Sequence, residues 1–96
     1  MKNILEQFTD DEIEECFEGS SNVDLVRDIA GKCMTENGTI AEMAFGQMFA
    51  RAIEGYIGVD YEEDPDEWEE AWDINEDWGI SIASNLNDMI IRNKQN

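Results

Sequence analysis

Between Asp60 and Asp77 the chain carries eleven carboxylates in eighteen positions and not one base. Such a segment cannot be packed into an interior, because a buried charge without a partner costs more than folding can recover. It has to lie on a surface. Its punctuation is helical: Asp64-Pro65-Asp66-Glu67 places a capping carboxylate first, Pro at the first helical position, and acids where the helix dipole is positive. Trp68, Ala71 and Trp72 then fall on one side of the expected helix and turn the intervening carboxylates outward.

The whole chain shares this bias, with 24 acids against 6 bases, no His and a formal net charge of −18 over 96 residues. Self-repulsion on that scale works against compaction. Leu, Ile, Val and Phe nevertheless number 21, about 22% and just above the roughly 20% below which a highly charged chain is disordered. Nine aromatics and five Met add to that core, so a small folded domain spanning 1–96 is expected.

Its helix signals are local and repeated. Thr9-Asp10-Asp11-Glu12 has the form of a capping box, followed by Ile13, Cys16 and Phe17 on one face and a stop at Gly19. Ile4, Leu5 and Phe8 suggest a further turn or two before it. Ser21 and Asp24 open a second helix whose stripe runs through Leu25, Val26, Ile29, Ala30, Cys33 and Met34 to the Asn37-Gly38 stop. Thr39-Ile40-Ala41-Glu42 reads as another capping box. It leads a central helix with the stripe Ile40, Met43, Ala44, Met48, Ala52, Ile53 and Tyr56, widened by Phe45, Phe49 and Ile57, with Gly46 as a point of close approach and Gly55 and Gly58 at its end.

A last helix, from about Asn75 or Gly79, aligns Trp78, Ile82, Leu86, Met89 and Ile90, with Asp73 and Asn75 capping a bend before it. The expected architecture is all-α, a small single-domain bundle of four to five helices. The one period-two stretch, Gly79-Ile80-Ser81-Ile82, leaves a small β element open there.

Several function classes recede. Without a basic stripe, direct binding of DNA or RNA and attachment to an anionic membrane have no electrostatic basis. No apolar run of signal-peptide or membrane-spanning length occurs, so a cytoplasmic location is expected. Asn37-Gly38-Thr39 has the glycosylation spacing, which without a secretory route is coincidence. Cys16 and Cys33 read as free buried thiols rather than a bridge.

Catalysis lacks a His base and any nucleophile, phosphate-loop or dinucleotide motif, so no enzyme activity and no cofactor are expected. Asp73-Ile74-Asn75-Glu76-Asp77-Trp78-Gly79 spaces oxygen ligands as a calcium loop does. It has Trp78 where that loop needs Gly and Ser84 where it needs a bidentate Glu, so no metal site is assigned.

The carboxylates themselves carry the functional argument. If most of residues 60–77 are helical, eleven charges lie along about 27 Å, one per about 2.5 Å, against one per roughly 1.7 Å in duplex DNA or 3.4 Å per strand. Glu6, Asp10, Asp11, Glu12, Glu14, Glu15 and Glu18 form a second acidic cluster. The expected partner-binding residues are Glu62, Glu63, Asp66, Glu67, Glu69, Glu70 and Asp73, with Asp10, Asp11, Glu14 and Glu15 as a second row. Of the aromatics, Trp68, Trp72 and Trp78 read as core-facing, with partial exposure as an interface anchor the alternative, and Tyr61 reads as exposed.

In size, helical character, lack of His and rows such as Asp60-Tyr61-Glu62-Glu63-Asp64-Pro65-Asp66-Glu67, the chain resembles phage-encoded DNA-mimic inhibitors of the anti-restriction and anti-CRISPR type. The likeness is one of charge character, with no motif shared. It implies occupation of the basic nucleic-acid channel of a defence nuclease or CRISPR effector, within the host cytoplasm. Small acidic immunity proteins that neutralise toxic nucleases are a second resemblance, and an acidic regulatory or adaptor domain a third reading. The broad apolar face of residues 40–57 also leaves a homodimer open.

Overall fold

In the computed structural model, residues 8–15 and 23–95 are described, and the chain over them is all-α. α1 spans Asp10–Glu14, α2 Val23–Lys32, α3 Glu42–Ile53, and α4 Pro65–Gln95, with a single 3-10 turn, Glu54–Tyr56, after α3. The 31 residues of α4 reach about 46 Å and account for most of the 51 Å longest dimension. α3 lies along α4, and α1 and α2 pack beside that pair.

One long helix therefore stands where two were expected. Asp73 and Asn75 are interior to α4 and cap nothing, and Gly79 does not start a helix. Gly79 instead meets Gly46 where α4 crosses α3: a Cβ built on Gly79 would sit 2.9 Å from the Gly46 Cα and 2.9 Å from the Phe49 Cβ. A Cβ on Gly46 would in turn lie 2.5 Å from Ile80 Cγ1 and 2.8 Å from the Glu76 carbonyl oxygen. Real Cβ atoms do not approach this closely, so the two glycines set the spacing of the helix pair. The close approach expected at Gly46 is present, and Gly79 acts as its partner and not as punctuation.

The residues around it make the core. Phe45, Phe49 and Ala50 of α3 face Ile82, Ala83, Leu86 and Ile90 of α4, and Val26, Ile29 and Ala30 of α2 with Ile13 of α1 close the other side. Trp78 packs edge-on against Phe49, ring centroids 5.0 Å apart. The α3 face is rotated from the expected stripe: Met43, Ala44, Ala52 and Tyr56 are exposed, while Phe45, Gly46, Phe49 and Ala50 are buried. The close glycine crossing decides this, because it turns the Gly46 side of α3 toward α4.

The start of α3 also differs from its sequence signal. Ala41 is the N-cap, and no side chain caps it. Thr39 is held in a short antiparallel bridge instead: Met34 pairs with Ile40, the Thr35 N–H donates to the Thr39 carbonyl at 2.8 Å, and Gly38 takes a φ of 81° in the turn between. Glu42 does not reach back to Thr39. Its Oε2 accepts from Asn87 Nδ2 at 3.0 Å.

Asn87, the one buried polar residue among those described, receives the Ile40 N–H on its Oδ1 at 2.7 Å and donates to the Ile40 carbonyl at 2.9 Å. Both backbone groups of the bridge strand are thereby satisfied from α4. The β-like pairing thus lies at Met34 and Ile40, and Gly79-Ile80-Ser81-Ile82 is helical.

At the other end, the Thr9 capping box forms as expected, with the Thr9 N–H donating to Glu12 Oε1 at 2.8 Å and the Glu12 N–H to Thr9 Oγ1 at 3.2 Å. α1 itself is short. Ile4, Leu5, Cys16, Phe17, Gly19 and Ser21 lie outside the described residues. Cys33, just past α2, is buried and free, its Sγ 3.5 Å from the Met48 Sδ, and burial pushes its thiol pKa up. No helix among the described residues is long and apolar enough to cross a membrane.

Candidate partner-binding surface

The acid segment begins as a turn. Residues 61–63 form it, with the Glu63 and Asp64 N–H groups donating to the Asp60 carbonyl at 3.1 and 2.9 Å and the Glu62 N–H to Asp60 Oδ1 at 3.0 Å. Asp64 then caps α4, its Oδ1 accepting the Glu67 N–H at 3.1 Å, with Pro65 in the first helical position. The hydrogen-bonded, negatively charged Asp64 beside it pushes the Glu67 carboxyl above its ordinary value of 4.5, and Glu70 adds to the push.

Glu62, Glu63, Asp66, Glu67, Glu69, Glu70 and Asp73 are all exposed. They do not share one face. Asp66, Glu70 and Asp73 recur with Asp77 at four-, three- and four-residue steps, which puts these four along one side of α4. Glu67 lies about a quarter turn to one side of the stripe beside the exposed Ile74, Glu69 lies to its other side, and Glu62 and Glu63 sit on the turn ahead of the helix.

The four-residue stripe spans about 16 Å, or one charge per about 5.5 Å. A DNA strand carries one per 3.4 Å. Seven acids between Pro65 and Asp77 give about one per 3 Å over the half of the helix that faces away from Trp68, Ala71 and Trp72. Charge density near that of DNA therefore belongs to the whole carboxylate-bearing half of the segment from Pro65 to Asp77, and the narrow stripe has less.

The second row stands elsewhere. Asp10 is engaged by Arg27, whose Nε and Nη2 reach its Oδ1 at 3.2 and 3.0 Å while Nη2 also donates to the Phe8 carbonyl at 2.6 Å. Asp11 and Glu15 are exposed and Glu14 half-buried. Glu12 and Glu15 line a shallow groove with Asn85, Asp88, Met89 and Arg92, which sets α1 beside the C-terminal part of α4. From Asp66 to Asp88 is about 33 Å of helix, so the two rows do not lie side by side as paired tracks.

The aromatics divide likewise. Trp78 is held by Phe49, whereas Trp68 and Trp72 are only half-buried and outside the core. Tyr61 is 51% exposed and stands edge-on to Trp68, centroids 5.2 Å apart at 83°. From Arg51 to Trp78 no residue is buried.

The features that sequence reasoning missed are Asn87 and the second glycine of the crossing. An Asn in phase with Ala83 and Ile90 on an apolar seam was the available signal for the first. Among the described residues no three His, Cys, Asp or Glu side chains are grouped to hold a metal ion, and the oxygen ligands from Asp73 to Asp77 are spread around a helix instead of converging in a loop. Comparison with known protein families, curated proteins and solved structures finds no match to this chain.

Proposed function

We propose that this chain is a stoichiometric inhibitor that binds the basic nucleic-acid-binding surface of a nuclease or CRISPR effector in place of DNA. The observation that carries the reading is the head of α4: a helix bearing seven acids and no base between Pro65 and Asp77, with every carboxylate but that of Glu76 exposed. Because its charge spreads over about half of the helix circumference, opposite Trp68, Ala71 and Trp72, a partner gains most by curving around that side. A channel lined with Lys and Arg does so, and a flat basic patch does not. Long-range attraction of this kind steers fast association that weakens as salt rises.

The test is capture of partners from bacterial lysate at low salt, followed by competition with duplex DNA. Under this reading the captured proteins bind nucleic acid and DNA displaces them. A partner without a nucleic-acid site, or one that duplex DNA fails to displace, overturns it. The triple reversal Asp66→Lys, Glu70→Lys and Asp73→Lys is expected to slow association strongly with the helical spectrum retained. An equal change of net charge at the exposed Glu36, Glu54 and Asp88 is expected to act far less. Equal weakening by both triples would mean that only total charge matters.

A further inference from the structure

We infer that Tyr61 and Trp68 form a docking platform for an arginine of the basic partner at the head of α4. The inference rests on the reading of the acid segment as a partner-binding surface and deepens it by naming the side chain received. The two rings come from different elements, the turn of residues 61–63 and the second turn of α4, and meet edge to face at 5.2 Å. Neither belongs to the core, and every residue from Asp60 to Glu67 is exposed. A half-exposed aromatic pair beyond the packed part of a chain so short of apolar residues does little for the fold beyond fastening the turn to the helix.

Charge complementarity selects the occupant. Glu62, Glu63, Asp64, Glu67 and Glu69 surround the pair in sequence, and the chain has no Lys or Arg between positions 52 and 91. The site is thus rich in π surface and negative charge. A cation over an aromatic face is attracted by the ring quadrupole. Guanidinium suits the place better than ammonium, because it is planar, less strongly hydrated, able to stack on the ring and able to bind a carboxylate in bidentate fashion at the same time. An aliphatic or aromatic partner side chain would have to strip water from these carboxylates and give nothing in return.

The probes are two labelled nonamers of equal charge, one all arginine and one all lysine, titrated against the full chain by fluorescence anisotropy. The arginine peptide is expected to bind more tightly. Tyr61→Leu and Trp68→Leu, which keep apolar bulk but remove the π face, are each expected to weaken the arginine peptide by about twofold to fivefold and the lysine peptide clearly less. Circular dichroism confirms that each variant remains helical, and Tyr61→Phe, which keeps the ring, is expected to behave as the parent.

Equal loss for both peptides, or none for either, overturns the platform. The reading of the acid segment fails separately: in that event the Asp66→Lys, Glu70→Lys, Asp73→Lys triple weakens neither peptide. If the triple weakens both peptides and the aromatic variants do not discriminate, the charge surface stands and the arginine platform falls.

Discussion

The two halves of α4 are built on opposite principles within one uninterrupted helix. From Gly79 onward Ile82, Ala83, Leu86, Asn87 and Ile90 are buried, one acid, Asp88, stands on the surface, and Arg92 and Lys94 occupy the end where the helix dipole favours cations. From Pro65 to Trp78 nothing is buried and seven acids crowd the helix. Seven pairs of these acids stand three or four residues apart, each destabilising by ~0.2–0.5 kcal/mol, together ~1.4–3.5 kcal/mol.

An isolated helix of that length is marginal in water in any case. The acidic half persists because it continues a helix already fixed by the core, starts with a good cap, and is held at Trp78 and Gly79 against α3. Stability is concentrated in one half of the helix, and surface charge in the other.

The largest test of that contrast is a pair of truncations. Leu86→Ala removes a fully buried side chain and is expected to cost about 2–5 kcal/mol. Ile74→Ala removes one that is 63% exposed and is expected to change stability by less than about 0.5 kcal/mol. Chemical denaturation of both variants measures the difference. Comparable losses would show that the acidic half contributes to the core.

Next in size is the polar lock. Asn87→Ala leaves the Ile40 N–H and carbonyl without their partners, at an expected cost of about 1–3 kcal/mol, and hydrogen exchange should quicken at Ile40 in particular. Unchanged protection there would mean that the Met34–Ile40 bridge stands without help from α4. The glycine crossing where the two halves meet gives a smaller effect. Gly79→Val forces a branched side chain against the Gly46 backbone and is expected to cost about 1–3 kcal/mol, less the fraction of a kcal/mol gained when a helix-interior Gly is replaced. Gly55→Ala, where a Cβ meets nothing within 4 Å, is the neutral counterpart.

These positions also show what was legible in the sequence. The seam of Ile82, Leu86 and Ile90, the Thr9 capping box and the Asp64-Pro65 helix start are local signals, and each was readable because spacing or capping chemistry dictates it. The face of α3 was not, since it depends on a non-local glycine contact 33 positions away in the chain. Thr39-Ile40-Ala41-Glu42 carries the letters of a capping box, yet Asn87 offers Glu42 and the Ile40 backbone partners that local spacing cannot reveal.

For the candidate surface, exposure of the acids followed from their number. Their division among two flanks and a turn, and the separation of Asp11 and Glu15 from the main row, needed the three-dimensional course of α4.

The smallest expected effect concerns the cap where the acidic half begins. Glu67 binds its proton more readily in the folded chain than at its ordinary value of 4.5, because Asp64 is hydrogen-bonded and charged beside it. The folded state then holds more protons than the unfolded state over the window just above that value, so stability falls as pH rises through it. Glu67's contribution is fully present below 4.5 and is lost as pH rises through the raised value.

Melting followed by circular dichroism is therefore expected to shift upward as pH is lowered from 7 to 4.5, the reverse of the usual loss of paired carboxylates in acid. Asp64→Asn retains a side-chain oxygen to cap the helix while removing the neighbouring charge, and it should flatten the rise. A melting temperature that falls steadily as pH is lowered from 7 to 4.5 would mean that the carboxylates of the acidic half are stabilised by partners instead of strained by one another. An unchanged slope in Asp64→Asn would move the source of the strain from the cap to the stripe of Asp66, Glu70, Asp73 and Asp77.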